Sequence, residues 1–328
     1  MIELNEYEKK ALQDYTFIDL FSGIGGFHLA LSSFGAKCVF ASDIDVKARK
    51  VYQENFGLEP SGDITEIHNK DIPAHDILCA GFPCQPFSIS GNQKGFNDPR
   101  GKLFYQIIRI ARFHKPKILL LENVKNLKTH NDSKTIEEIR NKLMQIGYYV
   151  FDEVLTASYF GVPQVRERLY IVALRKNLKI KEFDFPLGKQ SASYLNDILY
   201  DESGKFDVGV KREYTMNHRP FHRKGLIQVA RIGKGRQGER IYSPNGYAVT
   251  LSSQGGGPGG KTGMYLIDDK VRKLYPRECA RLMGFPDSFK YAEEISVAYK
   301  QFGNSVVIDV LQRIVQSIIF YIKGEKYE

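Results

Sequence analysis

Residues 75–91 read HDILCAGFPCQPFSISG and constrain the fold more than any other stretch. Asp76-Ile77-Leu78-Cys79-Ala80 is a short apolar run suited to a buried strand. Gly81 ends it, and Pro83-Cys84-Gln85-Pro86 follows, a segment that can be neither helix nor central sheet. Its prolines fix φ and remove two backbone donors, so the loop is stiff. A thiol on such a loop, at the end of a strand in an α/β sheet, sits where these sheets place their chemistry. Cys84 is therefore the candidate nucleophile. Cys79, inside the strand, reads as a small buried hydrophobe, the usual fate of a free cysteine.

Around that stretch strand and helix patterns alternate, which predicts an α/β fold. A β-rich run at 16–20 leads into Phe21-Ser22-Gly23-Ile24-Gly25-Gly26 and a helix-like 27–34. Strand, glycine turn and helix are the layout of a nucleotide-binding unit, in which glycines let the backbone approach the ligand. The dinucleotide fingerprint is broken, because His28 stands where its third glycine belongs. A second strand, 37–41, ends in Ser42-Asp43-Ile44-Asp45. Asp43 lies about 20 residues past the turn, placed to accept from ribose hydroxyls, and Asp45 suits an N-cap for a helix at 46–55. Asp63 fits either an acceptor for an adenine amine or a turn cap.

Residues 102–114 read as a helix with Leu103, Phe104, Ile107, Ile108 and Ala111 on one face. The apolar strand 117–121 runs directly into Glu122-Asn123-Val124, which puts a carboxylate at the functional edge of the sheet. A helix at 133–146 and strands at 150–157 and 169–174 complete this part. Between those strands, Gln164-Val165-Arg166-Glu167-Arg168 places two arginines on one side of an extended segment. Such a pair suits phosphate or carboxylate.

From about residue 191 the alternation stops, and short-stranded, glycine-rich, basic sequence runs to about 275. A small, mostly β domain with two mobile loops, 233–238 and 254–263, is expected. Between Lys211 and Lys261 ten Lys or Arg face two Glu, a local excess of eight in a chain whose net charge is +9. That concentration points to a polyanionic partner. Residues 276–285 and 305–321 return to apolar helical pattern, giving expected domains of 1–190, 191–275 and a returning 276–328. The four cysteines lack the paired grammar of a zinc site and form no disulfide framework, so neither metal nor bridge is expected. Residues 1–13 hold no signal core and no apolar run nears the ~18 residues of a membrane span; a soluble, cytoplasmic protein is expected.

Six segments in order then carry a resemblance: Asp19-Leu20-Phe21-Ser22-Gly23-Ile24-Gly25-Gly26, Gly81-Phe82-Pro83-Cys84-Gln85, Glu122-Asn123-Val124, Gln164-x-Arg166-x-Arg168, the run from Arg277 to Pro286, and Gly303-Asn304-Ser305-Val306. Over nearly its full length the chain resembles the DNA (cytosine-5) methyltransferases of the bacterial restriction–modification type. The resemblance implies a Rossmann-like methyltransferase sheet with helices on both faces, plus a smaller, mostly β target recognition domain. It implies S-adenosyl-L-methionine as cofactor, lined by Phe21, Gly23, Gly25, Asp43, Ile44, Asp63 and Ile64, with Pro83, Asn304 and Ser305 completing the pocket. Ile44 departs from a near relative, which has an aromatic there to pack on the adenine. Cys84, Glu122, Arg166 and Arg168 become the catalytic set. Gln85, Ser90, Gln237, Arg240, Thr250, Ser252, Gln254 and Gly257 become the DNA contacts, with Gln237 and Ser90 filling the gap left by a flipped base. Double-stranded DNA is the implied partner of a monomer, and a cognate restriction endonuclease would act on the same site without stable contact.

The residue types fit that chemistry independently. Cytosine C5 is a poor nucleophile until a thiolate adds at C6, and an ordinary thiol is only a few per cent ionised at neutral pH. Arg166 and Arg168 would favour the thiolate and the substrate phosphate; Glu122 would share a proton with N3 as sulfur adds. A base inside a duplex cannot meet both thiol and methyl donor, so it must be flipped out. Three competing readings are a tRNA cytosine-5 methyltransferase, a nicotinamide-dependent oxidoreductase and an inactive DNA-binding relative.

Overall fold

The computed structural model describes residues 2–82 and 103–324. The chain folds as two compact units. The first is built from Ile2–Leu155, Glu167–Leu187 and the segment from Val310 onward, and the second from Thr156–Arg166 and Gly188–Asp309. These bounds depart from the expected 1–190, 191–275 and 276–328. Buried polar contacts explain the grouping of 276–309 with the basic segment. Arg272 grips Glu278 through two hydrogen bonds of 2.8 and 2.7 Å, and Glu278 is fully buried.

The elements in chain order are β1 Thr16–Leu20, α1 Gly26–Ser32, β2 Lys37–Ser42, α2 Val46–Phe56, β3 Ile77–Gly81, α3 Leu103–His114, β4 Ile118–Val124, α4 Lys134–Gln145, β5 Tyr148–Thr156, β6 Gln164–Val165 and β7 Glu167–Arg175. There follow β8 Thr215–Arg223, β9 Leu226–Arg231, β10 Arg240–Tyr242, β11 Ala248–Val249, β12 Met264–Ile267, β13 Lys270–Arg272, α5 Pro276–Leu282, α6 Ile295–Asn304 and α7 Ile308–Lys323.

The first unit is organised on a six-stranded sheet of order β2-β1-β3-β4-β7-β5. From β1 the chain passes to β2 on one side and then to β3 on the other, all three parallel. That reversal is the switch point at which open α/β sheets bind ligands, outside the carboxyl ends of the strands. β4 continues the parallel set and β7 closes against it antiparallel. Ile18, Leu20, Leu78, Ala80, Leu119, Leu121 and Ile171 line one face and pack against Phe104 and Ile107 of α3 and Ile139 and Leu143 of α4. Each such fully buried side chain contributes about 1.5–3 kcal/mol relative to exposure. The alternate residues Phe17, Asp19, Cys79, Leu120 and Val172 are equally buried, as expected of strands covered on both faces. Gln312 of α7 donates to the Ser33 hydroxyl at the end of α1 at 2.9 Å, tying the last helix to the first.

The second unit contains a five-stranded sheet, β13-β12-β10-β9-β8, and a two-stranded one, β11-β6. The two glycine-rich loops expected to be mobile are joined: Gly259 N donates to Gly238 O at 2.9 Å. Gly238 has φ +83 and its missing Cβ would collide with the Gly256 carbonyl, so the close approach requires glycine.

One stretch, Ile295–Lys323, has the length and hydropathy of a membrane span, which the sequence reading had excluded. It is two helices interrupted between Asn304 and Ile308, and 67% of its most apolar window is buried inside the protein. Its apolar character is thus core packing.

Candidate active site

The carboxyl ends of β1 and β2 frame a cavity of about 190 Å³ in the first unit, lined by Phe21, Asp43, Ile44, Asp63 and Ile64 together with Ser42, Gly62 and Leu103. Five residues expected from sequence thus meet in one place. Phe21 turns the chain sharply with φ +55, a conformation that bulky residues adopt only where the surroundings enforce it. Asp43 accepts from Gly23 N and Asp45 N, both at 2.8 Å. It therefore fixes the glycine turn as well as facing the cavity. Asp45 caps α2 by accepting from Lys47 N and Ala48 N. Asp63 caps a turn, one oxygen accepting from Thr65 N at 2.9 Å, and the residue also lines the cavity. Arg109 of α3 pins this segment by donating to the Ile64 and Ile67 carbonyls at 2.6 and 2.8 Å.

Gly25 closes the same turn as the N-cap of α1. It has φ +89, and a Cβ there would enter the Phe56 ring. His28, in the third-glycine position, stacks on that ring at 3.9 Å and 12° and contacts Tyr52 Oη at 2.7 Å. Burial pulls its pKa down to about 4, so the imidazole is a neutral packing group. Beside it, burial and nearby Asp43 push the fully buried Asp19 carboxyl well above the ordinary carboxylate range.

At the same edge, register assembles the second part of the site. Gly81 pairs with Glu122 across β3 and β4, and Val124 pairs with Arg168 across β4 and β7. Glu122 Oε1 and Arg168 Nε stand 3.1 Å apart with side chains 10% and 17% exposed. Asn123, to which sequence reasoning assigned no role, is buried and donates to the Phe82 carbonyl at 3.1 Å. It anchors the end of β3 where the chain leaves for 83–102. The signal was present, since an amide inside an apolar strand needs a partner. Pro83, Cys84, Gln85 and Ser90 lie outside the described residues.

Arg166 is the more deeply buried of the two arginines. Its guanidinium donates to the carbonyls of Leu251, Gly303 and Ser305 at 3.0, 3.1 and 2.7 Å, and the residue is 2% exposed. Gln164 does similar work, donating to Leu282 O at 2.9 Å and accepting from Leu251 N at 3.2 Å. Both hold the second unit together, and Arg168 faces the Glu122 carboxylate.

The remaining candidates also lie in the second unit. Asn304 ends α6 exposed, and Ser305 follows it buried. Gln237, Arg240, Gln254 and Gly257 are exposed, and Arg240 Nε donates to Gly235 O at 3.0 Å. The Thr250 hydroxyl donates to the Val165 carbonyl, and the Ser252 hydroxyl to Gln254 O at 3.1 Å. Both hydroxyls thus hold backbone in place.

Three described cysteines are poor nucleophiles. Burial pushes the Cys38 thiol up to about 12, and Cys79 and Cys279, fully buried, well above the ordinary range. Among the described residues no cluster of His, Cys, Asp or Glu could hold a metal ion.

Residues 15–320 match the C-5 cytosine-specific DNA methylase family. The chain is 49% identical over 321 residues to the Type II methyltransferase M.HhaI of Haemophilus parahaemolyticus, covering 97% of each protein. It is 42% identical over 312 residues to the Type II methyltransferase M.HaeII of Haemophilus aegyptius, covering 94% of each. Among solved structures, the S. pombe Dnmt2 methyltransferase aligns with TM-score 0.67 at 24% identity, over 93% of this chain and 98% of that one. A Spodoptera frugiperda DNMT2 mutant gives 0.69 at 22% identity, over 93% and 99%. At such identity these two speak for the fold alone.

Proposed function

The chain belongs to the C-5 cytosine-specific DNA methylase family, and from that premise we propose how its residues divide the work. It is a DNA (cytosine-5) methyltransferase. Its methyl donor is S-adenosyl-L-methionine, its target a cytosine flipped out of a short duplex site, and its nucleophile Cys84. The observation that carries this reading is the common edge: the cavity of Phe21, Asp43 and Asp63 opens at the carboxyl ends of the strands whose register also aligns Gly81, Glu122 and Arg168.

The cavity's residues suit the cofactor. Asp43 has the acceptors a ribose needs, Asp63 an acceptor for an amine, and Phe21, Ile44 and Ile64 apolar surfaces for a flat ring. When bound, the cofactor supplies an electrophilic methyl group on a sulfonium. Cys84 adds as thiolate to C6, which makes C5 enamine-like, while the half-buried Cys38 and the buried Cys79 and Cys279 have thiols held protonated by their surroundings. Glu122 holds a proton at cytosine N3 while sulfur adds, and Arg168 orients the Glu122 carboxylate. Once C5 has taken the methyl group, loss of its proton restores the C5–C6 double bond and expels the Cys84 thiolate. Gln237 and Ser90 occupy the gap in the base stack, and Arg240, Thr250, Ser252, Gln254 and Gly257 face the duplex. The enzyme acts in the cytoplasm as a monomer and protects DNA from a restriction endonuclease that reads the same site.

Labelled S-adenosylmethionine and unmethylated duplex DNA test the reading, followed by nucleoside analysis and bisulfite sequencing. Label in 5-methylcytosine at one short sequence supports it. Label in tRNA alone, or in neither with DNA still bound, refutes it.

A further inference from the structure

A second cavity, about 390 Å³, lies wholly in the second unit, between the β8–β9 hairpin and the loop that leads into β10. Arg223, Arg231, Lys234 and Arg240 line it with the rings of Phe221 and Tyr242, and no carboxylate contributes to its wall. All four cations are exposed. Among the described residues no acidic group pairs with Arg223, Arg231 or Lys234.

The hairpin is shaped to present this wall. Met216 pairs with Ala230 and Phe221 with Gln228, so 217–220 stand opposite the single residue Val229 as a wide bulge. Asn217 Nδ2 holds the bulge by donating to Gln228 O at 3.1 Å. Pro220, with no N–H, is tolerated because β8 is the edge strand. The bulge re-aims the strand beyond it, and Phe221 is left 59% exposed. Cations on an edge strand commonly deter edge-to-edge pairing. That role requires them only to face solvent. Here they converge with cations from β9 and the following loop, an arrangement whose mutual repulsion a bound anion would relieve.

We propose that this cleft seats a backbone phosphate of the duplex, with Arg223, Arg231 and Lys234 as its donors and Phe221 covering the adjoining sugar. The inference rests on the reading of duplex DNA as substrate, and it gives that DNA a position. Lys234 and Arg240 flank Gln237 on one loop, so a duplex entered by Gln237 runs past the cleft. Contacts of this kind position the duplex without reading its sequence.

The test uses the full chain and a fluorescent duplex, with binding measured by anisotropy across a salt series. Arg223→Gln combined with Arg231→Gln should weaken binding roughly tenfold at low salt and flatten the slope of log K against log salt by about one to two. The loss should be the same for duplexes of unrelated flanking sequence. Phe221→Ala should weaken binding with the slope unchanged, because no charge is lost. Lys270→Gln, an exposed cation on β13, should change neither quantity. Matched urea melts establish that each variant is folded. A double variant with wild-type affinity and slope overturns the proposal. Failure of the substrate reading is separately visible, because the wild-type chain would then place no label in duplex cytosine.

Discussion

Glu122 and Arg168 allow the chemistry to be separated from the scaffold. Their ion pair, 3.1 Å long with both side chains largely buried, lies in a medium of low effective dielectric. Removing one partner of such a pair leaves an uncompensated charge and costs about 3–5 kcal/mol; with 10% and 17% exposure the lower end applies. Arg168→Gln should therefore destabilise the first unit by roughly 3 kcal/mol. Glu122→Gln keeps an acceptor for Arg168 Nε and strands only the more exposed partner, so the loss should be smaller, about 1.5–3 kcal/mol. Yet the amide cannot exchange a proton with cytosine N3, so turnover should fall by about 10²–10⁴, equivalent to about 3–5 kcal/mol of barrier. Urea melts and turnover under saturating DNA and cofactor measure the two quantities on the same samples. Near-normal turnover in Glu122→Gln would remove the carboxylate from the mechanism. A stability loss matching that of Arg168→Gln would make its role structural.

Other outcomes follow from the same geometry. Cys84→Ala should abolish turnover and retain tight duplex binding; loss of binding as well, read by anisotropy, would point to a structural cysteine. Gly25→Ala forces a side chain into the left-handed region and into the Phe56 ring, and should cost about 2–4 kcal/mol in urea melts, whereas a neutral result would contradict the packing account. His28 and His75 are held neutral by burial, each pulled down to about 4. A folded-state pKa below the unfolded 6.5 means stability present above pH 6.5 and lost as pH falls towards 4, up to about 3 kcal/mol for each histidine. His28→Phe should flatten that decline, and an unchanged pH slope would refute its assignment.

Much of this was legible in the residues because local chemistry and global placement agree. Phe21, Asp43, Ile44, Asp63 and Ile64 follow short strands, and the parallel order of β1 and β2 brings strand ends together without further information. What could not be read was which way side chains turn. Gln164-x-Arg166-x-Arg168 looks like two equivalent arginines on one side of an extended segment. The structure buries Arg166 against three carbonyls 85 or more residues away in sequence and sets Arg168 beside Glu122. The grouping of 276–309 with the basic segment is unreadable for a similar reason. The apolar pattern of α5 and α6 is compatible with either unit, and the contacts of Gln164 with Leu282 and of Arg166 with Gly303 and Ser305 join residues more than 100 apart. The glycine loops looked mobile because composition reports freedom and not the hydrogen bond from Gly259 to Gly238.

The most direct test of the central claim is to identify the atom that attacks cytosine. A duplex carrying 5-fluorocytosine at the target, with cofactor present, stops the reaction after methyl transfer, because fluorine cannot leave C5 as the proton does. Peptide mapping by mass spectrometry should then find the DNA attached to the peptide containing Cys84, and Cys84→Ala should abolish the adduct. Attachment at Cys38, Cys79 or Cys279, or methylation of ordinary duplex with no adduct trapped, would contradict the account.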